Sequence, residues 1–434
     1  MKSVYRLSSI AATLMLCLAS TGASAQTVTL WTFLDPAKTT GRDVALKNII
    51  EQFEAANPGI KIRVESQVFS ELGAKFLLGH RSGTAPDVTF VNMENIGALL
   101  KADSVTDLQA AFISKWPAGA EDDFYMRAAW DAAKIGDARY AVPLFAGTST
   151  LFYRKDLLAE AGIDPSSIKS WDQLTEAARQ LTRDTNGDGA PDVWGIMEPL
   201  SPERTGGVSA ILPMIAESQD VVWDSTACTA MYDTEAGQRA IQTHANWINV
   251  DKVMSGEALV ANSDDVMEQF AAGRFAMAVG PFARFSATAA AATWDGKANL
   301  AIMPWPTWDG ATTGPQTVTG WYVAAWKNSP NLEAATKFIE YMISEDGVRE
   351  WSTTGGQVPT RNSILADAAF ADEKYEYMRE MQSAWSNRSL VAPTNCNMAR
   401  FDADLNSAVQ RVVLGEASAS DALKEAEQKF RERQ

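Results

Sequence analysis

The alternation of strand and helix patterns near the start of this chain constrains its fold more than any other feature. Strand patterns occupy residues 27–33, 60–65 and 88–91, and helix patterns occupy residues 44–55 and 71–80. The first helix places Leu46, Ile49 and Phe53 on one face, at the i, i+3, i+7 spacing of an amphipathic helix. Strands that alternate with helices predict a mostly parallel sheet with helices on its faces, so we expect an α/β fold.

The first 25 residues have the pattern of a secretory signal. Lys2 and Arg6 precede an apolar run over residues 10–19, which ends in the small residues Ala-Ser-Ala at positions 23–25. This three-part pattern predicts cleavage before Gln26 and export of the mature chain as a soluble protein.

Composition argues against several classes of function. The 54 acidic residues outnumber the 38 basic ones, and binding to nucleic acid or to an anionic membrane needs a basic face. The chain has two histidines, His80 and His244, and it contains no G-x-S-x-G, P-loop or G-x-G-x-x-G motif. We therefore expect no catalytic step. A secreted glycosidase with a carboxylate pair stays open as an alternative, because no pair can be singled out among so many acids.

Two cysteines remain once Cys17 has left with the signal. Cys228 and Cys396 would then lie in an oxidising compartment, where disulfides persist. They either form a disulfide or are two unrelated buried thiols.

A polar loop at residues 184–192 resembles a calcium-binding loop. Asp184, Asn186, Asp188 and Asp192 supply oxygen at the first, third, fifth and ninth places. The twelfth place, which should be a glutamate, is Gly195. A metal-free turn built from Asx side chains explains the same residues, so both interpretations stay open. We expect no cofactor, unless this loop binds calcium.

Residues 139–163 have the pattern of a strand, a break at Pro143, a second apolar strand and a short helix that ends at Gly162. Proline cannot lie inside a central ladder of a sheet. The pattern is typical of a chain that leaves one lobe and immediately starts another, so we interpret it as the first crossing between two lobes.

Several short motifs recur along the chain in a specific order and spacing, at residues 29–31 (Thr-Leu-Trp), 53–62, 83–88 (Gly-Thr-Ala-Pro-Asp-Val), 140–143, 151–158, 170–174, 184–192, 270–277 and 355–359. Through these motifs the chain resembles, over nearly its whole mature length, the family 1 extracellular solute-binding proteins of ABC importers. The resemblance implies a two-lobed periplasmic binding protein fold, type II-like, with a mixed sheet flanked by helices in each lobe and a ligand cleft at the hinge. Lobe 1 would comprise residues 26–142 and 306–343, and lobe 2 residues 143–305 and 344–434. The C-terminal part of lobe 2 has an almost entirely helical pattern from Asp367 and a polar tail from Lys424.

The resemblance also implies ligand-binding residues at strand ends and in the hinge. The candidates are Trp31, Phe33, Asn92, Glu94, Gly147, Thr148, Glu198, Phe282, Gly320, Trp321 and Arg361. Aromatic faces pack against the C–H faces of sugar rings, and we rank Trp321 first among them. For Arg361, an interlobe ion pair is an equal alternative to ligand contact.

Together these features predict a periplasmic binding protein that delivers a sugar or oligosaccharide to the permease subunits of an ABC importer. We expect a monomer. A non-sugar solute, such as a glycerophosphodiester, is the alternative within the same fold, although it would need a cationic cleft.

Overall fold

The computed structural model describes residues 26–202, 209–217, 222–398 and 400–434, so the predicted signal lies outside it. The strands are β1 (Gln26–Thr32), β2 (Ile60–Ser66), β3 (Val88–Asn92), β4 (Lys134–Ile135), β5 (Ala138–Arg139), β6 (Val142–Gly147), β7 (Ser149–Arg154), β8 (Trp194–Met197), β9 (Trp223–Asp224), β10 (Thr229–Ala230), β11 (Phe275–Pro281), β12 (Leu300–Met303), β13 (Gln316–Ala325) and β14 (Ser389–Val391).

The helices are α1 (Gly41–Ala56), α2 (Leu72–Ser82), α3 (Ile96–Lys101), α4 (Leu108–Ala111), α5 (Arg127–Asp131), α6 (Lys155–Glu160), α7 (Trp171–Leu181), α8 (Ile211–Ala216), α9 (Glu235–Asn249), α10 (Ser263–Ala271), α11 (Phe285–Ala291), α12 (Gly296–Asn299), α13 (Leu332–Met342), α14 (Glu345–Thr353), α15 (Asn362–Leu365), α16 (Glu376–Asn387), α17 (Phe401–Val413) and α18 (Ala419–Glu432). Within the described ranges, none of them is long and apolar enough to cross a membrane.

The first lobe is built on a six-stranded sheet in the order β14-β13-β3-β1-β2, with β6 paired to β13. Strands β1, β2 and β3 are parallel, whereas β13 runs antiparallel to β3 and to β6. The carboxyl ends of β1, β2, β3 and β6 therefore meet at one edge. Val28 and Leu30 of β1 are fully buried in the core while their neighbours are not, as the alternation predicts.

The second lobe is built on a four-stranded sheet in the order β12-β7-β11-β8. Strand β11 runs parallel to β8 and antiparallel to β7, so the ends of β8 and β11 lie beside the start of β7. Helix α7 begins with the predicted capping box, in which Ser170 and Gln173 satisfy each other's backbone N–H groups. The two-lobed α/β prediction is confirmed.

The chain passes between the lobes at three places, all later than the sequence suggested. Strand β6 remains in the first sheet, so the first crossing follows Gly147 rather than Val142. Pro143 is tolerated because β6 has β13 as its only partner among the described strands and so lies at an edge. The second crossing lies between Trp308, whose ring packs 6.1 Å from Trp171 in the second lobe, and the start of β13 at Gln316.

The third crossing lies at Gly355 and Gly356 rather than after Ile343. Helix α14 belongs to the first lobe, because Trp351 lies in that core and Glu350 accepts a hydrogen bond of 2.7 Å from Asn48 of α1. A Cβ on Gly355 would lie 3.3 Å from a side chain of the first lobe, and one on Gly356 would lie 3.3 Å from a side chain of the second.

The sequence pattern predicts an almost entirely helical C-terminal part, but the structure contains a strand there. Strand β14 interrupts it and pairs in parallel with the start of β13, so this part also reaches the first sheet. The two cysteines form a disulfide, with their Cα atoms 5.5 Å apart, which ties the segment after β14 to the β9–β10 hairpin. The polar tail predicted from Lys424 is the last turns of α18, whose Ala426 and Phe430 are buried.

Candidate ligand-binding cleft

The first wall of the cleft is the edge where the parallel strands of the first sheet end. Phe33 follows β1 and Phe69 lies just beyond β2, while Asn92 and Glu94 follow β3. Trp321 of β13 pairs with Asn92 in the sheet register. Since ligands of open α/β sheets gather beyond the carboxyl ends of strands, this edge is where a ligand would contact the first lobe.

Four aromatic rings form a cluster at this edge. The ring of Trp321 lies 4.4 Å from Phe33 and 4.9 Å from Phe69, and Phe33 lies 6.3 Å from Phe90. Trp321 is only 6% exposed, whereas Phe69 is 50% exposed. Trp321 therefore packs beneath other rings, and Phe69, which the sequence analysis missed, presents the open ring surface.

Trp31 lies on the sheet rather than at its edge. Its indole Nε1 donates a hydrogen bond of 2.7 Å to Glu65, its register partner on β2. The indole N–H of Trp31 is therefore paired with a side chain of the same sheet.

The residues predicted to bind ligand in the hinge form hydrogen bonds and strand pairs within the hinge. Thr148 is 2% exposed, and its Oγ1 accepts a bond from the Gln316 side-chain amide. The Thr148 carbonyl accepts a bond of 2.9 Å from the Phe282 N–H. Gly147 lies opposite Thr319, and Gly320, with φ of 137°, lies beside an irregularity in the β6–β13 pairing. Residues 145–147 belong to β6 and Thr148 follows it directly, so these residues position the two lobes.

Phe282 packs inside the second lobe. It is 1% exposed, and its ring stacks on Tyr377 of α16 with 5.4 Å between the ring centres. Tyr377 also stacks at 4.1 Å on Phe285. The ring face that would have met a ligand is covered by this helix.

Glu198 and His244 form a buried pair in the second lobe. Both are 0% exposed, and the Nε2 of His244 lies 2.7 Å from Glu198 Oε1. Nδ1 of His244 lies 2.7 Å from the Ala240 carbonyl, so each ring nitrogen lies close to an oxygen acceptor. Burial alone would lower the pKa of His244, but the charge and hydrogen bond of Glu198 outweigh it and raise that pKa.

The pair supports the cleft wall instead of lining it. The second carboxylate oxygen of Glu198 accepts a hydrogen bond of 3.2 Å from the Ala210 N–H, next to Ser209. Glu198 was predicted to bind ligand. The structure corrects this prediction, because a fully buried carboxylate with these partners has no face left for a ligand.

Arg361 forms an ion pair with Asp123. Its guanidinium donates a bond of 2.9 Å to Asp123 and one of 2.8 Å to the Ile343 carbonyl, and it lies 4.2 Å from the Phe124 ring centre. Asp123 also accepts two bonds from Ser363, and these bonds together with Arg361 lower its pKa although its partial burial opposes them. Arg361 thus ties the chain after the third crossing to the first lobe.

The two lobes enclose a small cavity between them. Its volume is about 20 Å³, which is room for about one water molecule. The lining residues from both lobes are Met93, Glu94, Ser209, Leu212, Trp223, Thr317, Val318, Leu390, Ala392, Phe401, Asp402 and Leu405. Only Glu94 among these was predicted from sequence.

Five of the eleven missed lining residues come from the C-terminal part, whose sequence pattern predicts almost continuous helix. Phe401 and Asp402 begin α17, directly after Arg400 in the left-handed conformation with φ of 66°. The turn-forming run Pro-Thr-Asn-Cys-Asn at residues 393–397 was the available signal that the helical pattern is interrupted here.

The two ends of the cleft carry titratable groups of different kinds, acids in the cavity and arginines near β1. In the cavity, burial raises the pKa of Glu94 to about 8, and the negative charge of Asp402 adds to the rise. Near β1, Arg42 lies 5.4 Å from the Phe33 ring centre, and its pKa is lowered by burial and by the charge of Arg284 from the second lobe. Arg284 itself pairs with Asp264.

The loop at residues 184–192 shows the hydrogen bonds of an Asx turn. Asp184 accepts bonds from the N–H groups of Gly187 and Gly189, and Asp192 accepts bonds from the backbone and hydroxyl of Thr185. Asn186 and Asp188 likewise accept backbone bonds. In the described part of the chain no group of three His, Cys, Asp or Glu side chains could hold a metal ion. Calcium binding stays a prediction, to be tested by a calcium-dependent rise in the thermal midpoint that Asp188→Asn abolishes.

The arrangement defines a class of protein: two α/β lobes, three crossings and a polar, aromatic cleft between the lobes. A family model for bacterial extracellular solute-binding proteins matches residues 37–349. The chain therefore belongs to the bacterial extracellular solute-binding protein family.

Individual relatives agree with this assignment. The chain is 23% identical over 337 residues to a putative ABC transporter periplasmic-binding protein, YcjN, of Escherichia coli, covering 76% of this chain and 73% of that protein. It is 22% identical over 348 residues to an arabinooligosaccharide-binding protein of Bacillus subtilis, covering 77% and 74%. The GacH receptor of Streptomyces glaucescens shares its fold with a TM-score of 0.77 at 22% identity, covering 94% of this chain and 98% of that one.

Proposed function

We propose that this chain is the periplasmic binding protein of an ABC importer, and that it binds a sugar or oligosaccharide between its lobes for delivery to the permease subunits. The observation that carries the proposal is the interlobe cavity. Trp223 and Phe401 supply aromatic surface there, while Glu94, Asp402 and two hydroxyl-bearing residues supply hydrogen-bonding groups. Sugars present C–H faces to aromatic rings and hydroxyls to carboxyl groups, so the two sets of groups match the two surfaces of a sugar.

The charge of the cavity favours a neutral ligand over a glycerophosphodiester. Among the described residues that line it, none is Lys or Arg, and two are acidic. A phosphate group would find no cation on this wall to compensate its charge. The names of relatives add support, since the Bacillus subtilis relative is named for arabino-oligosaccharides.

Binding requires the lobes to open. A cavity of about 20 Å³ is far below the few hundred Å³ of typical ligand sites. A ligand would therefore enter between separated lobes and be enclosed when they move together on the three crossings. The permease would recognise the closed form, and the chain would act as a monomer without a catalytic step.

A thermal-shift screen over mono-, di- and trisaccharides, with arabino-oligosaccharides included, tests the proposal. A ligand at 100 times its Kd stabilises the folded form by about 2.7 kcal/mol, which shifts the midpoint by several degrees. A phosphodiester that shifts the midpoint while no sugar does would overturn the carbohydrate proposal. Chromatography of the bound sugar after incubation separates binding from hydrolysis, and cleavage products would favour the glycosidase alternative.

A matched pair of variants locates the site. Thr317→Val removes a hydroxyl from the cavity wall at nearly constant volume, and Thr313→Val makes the same change on the exposed loop before β13. Losing one hydrogen bond to ligand weakens binding by up to about tenfold. We expect that loss for Thr317→Val and unchanged affinity for Thr313→Val; equal affinities would remove Thr317 from the site.

A further inference from the structure

Two carboxyl groups from different lobes line the same closed cavity. Glu94 follows β3 in the first lobe, and Asp402 lies in the first turn of α17 in the second. Asp402 is 8% exposed and accepts a hydrogen bond of 2.9 Å from the Ala403 N–H. Most of the remaining wall is apolar, so closing the lobes moves the carboxyl of Glu94 from water into a poorly solvated space beside a second acid.

The elements packed around the cavity place no basic side chain on its described wall. The nearby charged groups on those elements have other partners or other positions. Arg388 donates to the carbonyls of Ala216 and Glu217, Arg433 pairs with Asp404, and Arg400 is exposed. Lys101 of α3 lines a neighbouring groove that shares Trp223, Leu390 and Ala392 with the cavity, but Lys101 does not line the cavity itself. No described cation therefore compensates Glu94 within the cavity.

The carboxyl of Glu94 has no hydrogen-bond or ion-pair partner among the described residues, although its backbone N–H donates to the Asn92 side chain at 3.0 Å. Glu94 is half-buried, and an acid that faces a poorly solvated space without donors is favoured in its neutral form. Burial accordingly raises the pKa of Glu94 from an ordinary value of 4.5 to about 8, and Asp402 contributes the second, smaller part. Both causes depend on the second lobe being closed over the first.

We propose that closing of the lobes is coupled to the uptake of one proton by Glu94, so that the cleft closes more readily in acid than in base. This coupling rests on the proposed function, because it would regulate the cleft in which the ligand binds. It depends on the motion of the lobes and not on the identity of the ligand. Opening returns water to Glu94 and removes Asp402, and the proton is then released.

The sign and size of the effect follow from linkage. Glu94 binds its proton more tightly in the closed form, so the ratio of closed to open molecules is highest in acid and falls as pH rises. The fall is up to about tenfold per pH unit between about pH 5 and pH 7.5, and the ratio is nearly constant outside the two pKa values. Glu94→Gln keeps the shape but cannot titrate, so its ratio should stay constant over this range.

Small-angle X-ray scattering of the ligand-free protein between pH 5 and pH 9 tests the proposal. We expect the radius of gyration to increase with pH in the natural protein and to remain at the compact value in Glu94→Gln. Glu71→Gln is the matched control, because Glu71 is an exposed acid near the end of β2 that pairs with Lys75. This control should titrate like the natural protein.

Several outcomes would overturn the proposal. A radius that does not change with pH, whether compact or open, contradicts the coupling. An increase that persists unchanged in Glu94→Gln assigns it to another group. Asp402→Asn should keep part of the increase, because burial is the larger cause, and circular dichroism establishes that each variant is folded. The outcome is independent of the saccharide screen. If no sugar bound in that screen, the carbohydrate proposal would be refuted, but a pH-dependent radius would still support the coupling.

Discussion

Removing His244 from its buried pair with Glu198 should strongly destabilise the second lobe. In His244→Leu, the carboxylate of Glu198 loses the group 2.7 Å away, and among the described residues it keeps the Ala210 N–H at 3.2 Å. A carboxylate at 0% exposure is then left with one neutral donor to compensate its burial.

The size of the loss follows from that missing partner. Removing one member of a buried pair costs about 3–5 kcal/mol, because the other member stays buried without compensation. We therefore expect His244→Leu to lower the free energy of unfolding by about 3–5 kcal/mol at pH 7. In the natural protein the stabilisation by the pair is complete below the ordinary histidine pKa of 6.5 and is lost as pH rises through the raised pKa of His244.

Urea unfolding followed by circular dichroism at pH 7 measures this loss. His80→Leu is the control, since His80 accepts a hydrogen bond of 3.0 Å from Trp326 and has no carboxylate partner among the described residues. Its loss should be about 1 kcal/mol at the same pH. The double variant His244→Leu with Glu198→Gln should recover part of the stability. A loss for His244→Leu no larger than that for His80→Leu would refute the reasoning.

Three further predictions concern packing, an ion pair and the disulfide. Trp321→Ala should lower the free energy of unfolding by about 3–5 kcal/mol, because this ring is 6% exposed, whereas Phe69→Ala should cost less than about 1 kcal/mol; guanidinium titration compares them. Asp123→Asn breaks the pair with Arg361 and should cost about 1–3 kcal/mol at pH 7. That loss should diminish as pH falls below the ordinary aspartate value of about 3.9, because the pKa of Asp123 is lowered and its stabilisation disappears as acid protonates it, as thermal melts against pH would show. Cys228→Ser opens a loop with a sequence separation of 168 and should cost about 5 kcal/mol by the chain-entropy model, measurable by urea unfolding.

The fold was predictable because its signals are local. Periodicity at residues 44–55 and alternation along β1 report which face is buried, and the capping box at Ser170 begins α7 as expected. Proline at position 143 was over-interpreted, since an edge strand tolerates it. The crossings were displaced for the same reason: sheet membership depends on a partner such as β13, which is distant in sequence.

The site was less predictable because the partner of a polar or aromatic side chain is not a local property. Glu198 ends a strand at the cleft, but His244 from α9 covers it. Phe282 follows its strand as expected, but Tyr377 covers it. Asp402, which lines the same cavity as Glu94, was overlooked within a helical pattern. Strand ends indicate where a cleft lies, whereas the packing of distant helices decides which side chains remain available.

Strand β13 also determines when the first lobe can be completed during export. It lies between β3 and β6, and β6 has no other partner among the described strands. A chain that emerges from a membrane channel N-terminus first presents β1, β2, β3 and β6 long before residues 316–325. Until β13 arrives, the edge of β3 is open and β6 is unpaired, so the sheet must wait for most of the chain to be translocated. This discontinuous sheet delays compaction of the first lobe to the end of secretion.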